Sequence, residues 1–227
     1  GAYENAKGYF KILRKSTLYE NTWKQISAAV LKRSLDCALK LKDTKDLVDI
    51  SLSLCTPETS IPLADKETIQ SQLFYTMHHL ESFSLPPLAD IHRICINQPK
   101  HPLLSVNCNF DKRNIHTNNP LVTRIQVTSF FPLPIRFQAI HILFNNSTYN
   151  ITITDDGPPI SGGEAAATAE DNLVVLPFLP RVFEFTKIAE SKCDLTFEAI
   201  EFHFGDEKQA RVAFSFDVNA WEIAPEI

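Results

Sequence analysis

Apolar residues recur every three to four positions up to about Ser84, and every second position from Ile91 onward. The first rhythm is that of helices burying one stripe, and the second is that of strands burying one face. The change falls on Leu85-Pro86-Pro87-Leu88. Proline fixes φ and disfavours helix in the residue before it, so a Pro-Pro step suits a boundary. The pattern predicts a helical domain over 1–84, a proline linker over 85–90 and an all-β domain over 91–227.

Within the helical part, Tyr3, Ala6, Tyr9, Phe10 and Leu13 predict a first helix over 3–15. A longer helix is predicted over 19–41, with Trp23, Ile26, Val30, Cys37 and Leu41 on one stripe and Leu31, Leu35 and Ala38 on a second. Two stripes mean cover on two sides, as in stacked helical repeats. Asp43 followed by Asp46 predicts an N-cap for a third helix over 44–55, with Leu47, Ile50 and Leu54 inward. Asp65 is expected to cap a fourth helix running to about Ser82, with Ile69, Leu73, Met77 and Leu80 on one face. Four antiparallel helices with short connections look like the end of an α-solenoid. Pattern and connection length together give the expected fold class: a TPR-like α-solenoid end followed by an immunoglobulin-like antiparallel β-sandwich.

The β part divides into strands near 91–96, 103–110, 121–130, 137–144, 148–154, 173–177, 182–188 and 195–204, with 209–218 as a closing candidate. Short strands at regular spacing with turn signals between them suggest an antiparallel sandwich. Asn145-Asn146-Ser147 fits a tight turn, because asparagine tolerates left-handed backbone. Residues 155–172 hold no large apolar side chain except Ile160 and read as a mobile insertion.

Composition narrows the function classes. A net charge of −5 with pI near 5.8 argues against nucleic acid as the main partner, since phosphate binding needs a basic field. No stretch approaches the roughly 20 apolar residues of a membrane span. Five widely spaced cysteines (Cys37, Cys55, Cys95, Cys108 and Cys193) contain no C-x-x-C pair and read as free thiols of a reducing compartment. The first methionine is Met77, so the chain is expected to be an excised piece of a larger cytosolic protein.

Catalytic and metal chemistry find no constellation. His78 and His79 are neighbours, and on a helix neighbours point about 100° apart, so the pair is a poor metal site. His92, His101, His116, His141 and His203 show no ligand spacing, and Cys108 and Cys193 read as small buried hydrophobes rather than nucleophiles. Asp155-Asp156-Gly157 reads as a turn, and the sequons at Asn145, Asn146 and Asn150 read as hairpin chemistry. No catalytic, cofactor-binding or metal-ligating residue is assigned. One segment stands out as a protein interface or an inter-domain seam: Phe130, Phe131, Leu133 and Ile135 group around Pro132 and Pro134. Exposed, it would mark a partner contact; burial is the preferred reading. Trp23, Val30, Cys37, Leu52, Phe137 and Phe144 are expected in the core.

An ordered series of segments carries a resemblance. It runs through Trp23, Val30-Leu31, Cys37-Ala38-Leu39, Lys42-Asp43 and Ser51-Leu52-Ser53-Leu54. It continues in Pro134-Ile135-Arg136-Phe137, Phe144-Asn145-Asn146, Tyr149-Asn150, Leu176-Pro177 and Trp221. The chain resembles the trafficking protein particle complex subunit 11 family, which carries the foie gras and gryzun domains. That resemblance implies the end of the foie gras α-solenoid followed by the first Ig-like module. It further implies a non-catalytic scaffold of a tethering complex in endoplasmic-reticulum-to-Golgi transport and autophagy, cytoplasmic and peripheral to the Golgi and the intermediate compartment. Implied partners are other subunits of that complex, without nucleic acid, cofactor or direct membrane insertion, and a small GTPase met only through the complex. The competing readings are a cargo- or coat-type adaptor, which would add a peptide strand to a sheet edge, and an accessory carbohydrate-binding β-sandwich of an enzyme.

Overall fold

Among the described residues, four α-helices precede the first strand, in keeping with the change of rhythm. The computed structural model describes residues 2–17, 24–97, 101–112, 116–155, 173–190, 193–206 and 209–218. Trp23, Trp221 and nearly all of the insertion, 156–172, lie outside these residues.

The helices are α1 (Ala2–Thr17), α2 (Lys24–Leu41), α3 (Thr44–Cys55) and α4 (Leu63–His78), each packed against the next. The α2–α3 turn is set locally. Lys42 takes a left-handed φ of 57°, and Asp43 N–H donates to Ala38 O at 3.0 Å, closing the end of α2 in a six-to-one turn. Asp43 then serves as N-cap of α3, its side chain accepting from Asp46 N–H. Lys7 of α1 reaches both Asp43 and Asp46, at 2.5 and 2.9 Å, which ties α1 to the same turn.

The fourth helix departs from expectation. It begins at Leu63 behind Pro62, with no side-chain cap, and Asp65 pairs with Lys32 at 2.8 Å instead of capping. It stops at His78, and a 3₁₀ turn covers Leu80–Phe83. Its buried residues are Lys66, Gln70, Leu73, Thr76 and Met77, so three of the five are polar. Lys66 earns burial by capping the end of α3: its ammonium donates to Thr56 O at 2.7 Å and to Pro57 O at 3.3 Å. On α2, Ile26 is exposed although it falls on an expected stripe.

The strands are β1 (His92–Ile96), β2 (Leu104–Phe110), β3 (Pro120–Ser129), β4 (Ile135–Arg136), β5 (Ala139–Phe144), β6 (Ile151–Thr154), β7 (Val174–Val175), β8 (Pro180–Ile188), β9 (Phe197–Asp206) and β10 (Ala210–Asp217). One sheet has the order β1-β10-β9-β5-β6, a second β2-β3-β8, and β4 pairs with β7. Pairing of β3 with its neighbours is antiparallel, with Ile125 opposite Cys108 and Phe183. Period-two burial is plain in β3, where Leu121, Thr123, Ile125, Val127 and Ser129 point inward. The same holds in β5, where Ile140, Ile142 and Phe144 do so. Phenylalanines fill the sandwich: the Phe137 ring lies 5.2 Å from Phe202, Phe202 5.9 Å from Phe216, and Phe204 5.4 Å from Phe214.

The chain divides into two compact units. The first is Gly1–His92 together with two later returns, Phe130–Leu133 and Gly205–Arg211; the second holds the rest. Inside the first unit, the proline segment is hydrogen-bonded in place: Thr44 Oγ1 donates to Pro86 O at 2.6 Å, and Leu88 N–H to Gln209 O at 2.9 Å.

Candidate protein-contact site

The Phe130–Ile135 segment is the feature that the sequence singles out. Phe131 and Ile135 are fully buried, while Phe130 and Leu133 are half-buried. Prolines at 132 and 134 remove main-chain donors, so the stretch enters a ladder only at Ile135, opposite Val175 of β7. Ahead of that point a side chain holds it. Gln70 Nε2 donates to Leu133 O at 3.1 Å, and Leu133 N–H donates to Gln70 Oε1 at 2.8 Å. The amide thus imitates one rung of a strand pair, which explains a glutamine on the buried stripe of α4. Replacing Gln70 by Leu should cost about 2 kcal/mol, since it strands a donor and an acceptor together. Urea unfolding of the variant measures it, and a loss under about 0.5 kcal/mol would mean that the rung carries no weight. Of the residues expected in the core, Val30, Cys37, Leu52, Phe137 and Phe144 are buried, and Trp23 lies outside the described residues.

The histidines that look scattered in sequence are partly gathered by sheet register. His141 of β5 stands opposite Glu201 of β9, and His203 is two residues further along β9. His203 Nε2 lies 2.9 Å from Glu201 Oε2, Arg93 Nε donates to Glu201 Oε1 at 3.0 Å, and Ser215 Oγ reaches the same oxygen at 3.3 Å. The His141 ring meets His203 edge-to-face at 4.5 Å, and its Nδ1 is 3.0 Å from Thr152 Oγ1. A polar row therefore crosses strands β1, β10, β9, β5 and β6. The His203 hydrogen bond, aided by Arg93 and opposed by burial, holds Glu201 down at about 2. Burial and the neighbouring His203 hold His141 below its usual value. Ser215 addresses the carboxylate and not an imidazole, and the row braces neighbouring strands of the sheet. Nothing in the sequence brings His141 next to residues sixty positions away, so only the register reveals it.

Other expected features find specific partners. His78 Nδ1 is 3.4 Å from Asp206 Oδ2, whereas His79 stacks on Tyr75 at 4.4 Å, so the two imidazoles are occupied apart. No group of three or more His, Cys, Asp or Glu among the described residues is placed to hold a metal ion. Burial pushes the Cys55 and Cys108 thiols up to about 12, which keeps them as thiols at neutral pH. Cys193 is exposed, contrary to the expectation of a buried hydrophobe. Asp155 is held by Arg136 and accepts from Leu173 N–H at 3.1 Å. Two sequon asparagines, Asn146 and Asn150, close the connection between β5 and β6, and Asn145 ties its start to the residues before β9. Asn145 accepts from Thr196 N–H at 3.1 Å, Asn146 from Thr148 N–H at 3.1 Å, and Asn150 from Phe144 N–H at 2.8 Å.

A family model for the TRAPPC11 first Ig-like domain matches residues 101–225, more than half of the 227-residue chain. The chain belongs to the TRAPPC11 family. Membership of the TRAPPC11 family implies a place in the multisubunit TRAPP complex. Among solved structures, the chain is similar to the CARDB domain of a Pyrococcus furiosus protein, solved with two metal ions. That match has a TM-score of 0.28 and 10% identity, over 50% of this chain and 85% of the other. No curated protein matches the chain in sequence. Among the described residues, no helix is long and apolar enough to cross a membrane.

Proposed function

We propose that this chain is a non-catalytic scaffold segment of the TRAPP tethering complex, acting in endoplasmic-reticulum-to-Golgi transport and autophagy. Helices α1–α4 form the end of an α-solenoid, and the sandwich is the Ig-like module that follows it. Its work is the placement of other subunits at the cytoplasmic face of the Golgi and the intermediate compartment, while small-GTPase activation is carried by those other subunits. The family match over 101–225 carries this reading. The geometry agrees with it: the polar side chains described above are engaged in capping, bridging or bracing, as suits a rigid support. The test is affinity purification of the full protein that contains this chain, from cells that express it at its natural level. Stoichiometric recovery of the other TRAPP subunits is expected. Recovery of the protein free of them would overturn the proposal.

A further inference from the structure

From the β7–β8 connection into the start of β8 the chain turns apolar side chains outward. Leu176 is 48% exposed, Phe178 60%, Leu179 56% and Val182 56%. Phe178 has φ of +60°, a left-handed backbone that is costly for a bulky residue. Two links to a fully buried residue maintain it: Phe178 N–H donates to Ser129 O at 2.7 Å, and Pro177 bridges Ser129. The fold thus stores strain to hold an aromatic ring in solvent, the reverse of what burial favours. Strain at an exposed aromatic residue marks a place to look for use. Beside this turn, β8 is the last strand of its sheet among the described residues, with β3 on one side. Its inward set, Phe183 and Phe185, is buried, and its outward set includes Val182 and Glu184, the latter paired with Arg124 at 2.7 Å.

We propose that the edge of β8, with Phe178, Leu179 and Val182 at its head, receives an extended segment of another TRAPP subunit as an added strand. The segment carries uncharged, β-branched or aliphatic side chains at alternate positions, because its inward set would extend the row of Phe183 and Phe185. Size selects this occupant over a second copy of the chain. Four half-exposed apolar side chains offer on the order of 400 Å², about half of what each partner buries in a stable dimer, roughly 800 Å². That area suits a single strand of about five or six residues. Pro180, the first residue of β8, lacks a donor, so main-chain pairing of the added strand starts beyond it, next to Val182.

This inference rests on the scaffold reading, and the experiment separates the two. Benzoylphenylalanine is placed at position 178 of the full protein, the intact TRAPP complex is purified and irradiated, and adducts are mapped by mass spectrometry. A parallel sample carries the photoreactive residue at 182. Adducts from both positions on alternate residues of one segment of another subunit are expected. Val182→Lys should lower the yield from 178 at least tenfold without moving the unfolding midpoint. An assembled complex without such adducts, adducts confined to this protein itself, or a yield indifferent to Val182→Lys would each overturn the strand-addition proposal alone. A protein that purifies without the complex would strike the scaffold reading instead.

Discussion

Gly205→Ala should destabilise the chain by about 3 kcal/mol or more, the largest effect expected of any single-methyl addition here. Gly205 has φ of +102°, outside the conformations that side-chain-bearing residues adopt readily. A Cβ there would also lie 2.2 Å from Ala210 O and 2.3 Å from Met77 Cε. The methionine end can swing away, but the Ala210 carbonyl belongs to the facing strand and cannot. Relief must come from opening the β9–β10 hairpin near its tip, in the return Gly205–Arg211 that belongs to the first unit. Two neighbours there depend on that tip: Leu80 N–H donates to Gln209 Oε1 at 3.0 Å, and Gln209 O accepts from Leu88 N–H. Gly8 provides the control. It lies in α1, where an added Cβ would meet nothing within 4 Å, so Gly8→Ala should stabilise by about 0.5–1 kcal/mol through helix propensity alone. Urea unfolding of both variants checks the opposite signs. A Gly205→Ala protein within about 1 kcal/mol of the parent would show that the hairpin relaxes without cost.

That glycine also marks the limit of what local pattern conveys. The period change at Leu85–Leu88, the Asp43 cap and the asparagine-rich turn are all written in neighbouring residues, and each is readable without coordinates. The long-range features are not. Gln70 and Lys66 interrupt the apolar stripe of α4, so periodicity understates its burial; each is buried because a distant main-chain group needs it. The capping power of Asp65 competes with Lys32, on another helix, and loses. In the sheets, spacing along one strand gives the face of a side chain but not its cross-strand neighbour. His141, Glu201 and His203 therefore look unrelated until β5 and β9 are set in register. The turn at Phe178 follows Leu176-Pro177, a family-like motif, but its outward aim comes from the Ser129 contacts, far earlier in the chain.

Acid should weaken the fold in two separate steps. His101 is the first group. Leu103 N–H donates to its Nδ1 at 3.1 Å, its ring lies 5.2 Å from that of Phe214, and burial lowers it to about 4 from an ordinary 6.5. The unfolded chain then binds a proton more readily than the fold, so the contribution is complete above about pH 6.5 and is lost as pH falls through about 4. His141, also lowered, adds a loss of the same sign. Glu201 is the second group: held at about 2 against an ordinary 4.5, it contributes above about pH 4.5 and loses this between there and pH 2. Discounted for partial exposure, the steps amount to about 2 kcal/mol for His101 and about 1 kcal/mol for Glu201. Urea midpoints from about pH 7.5 to 3 should therefore fall first between about pH 6.5 and 4.5 and again below. His101→Asn keeps an acceptor for Leu103 N–H and should shrink the first fall to the part that His141 contributes, while leaving the second. Glu201→Gln should do the converse. A parent stability that stays level from about pH 7 to 4.5 would mean that His101 is protonated in the fold at no cost, and that its acceptor role toward Leu103 is wrong.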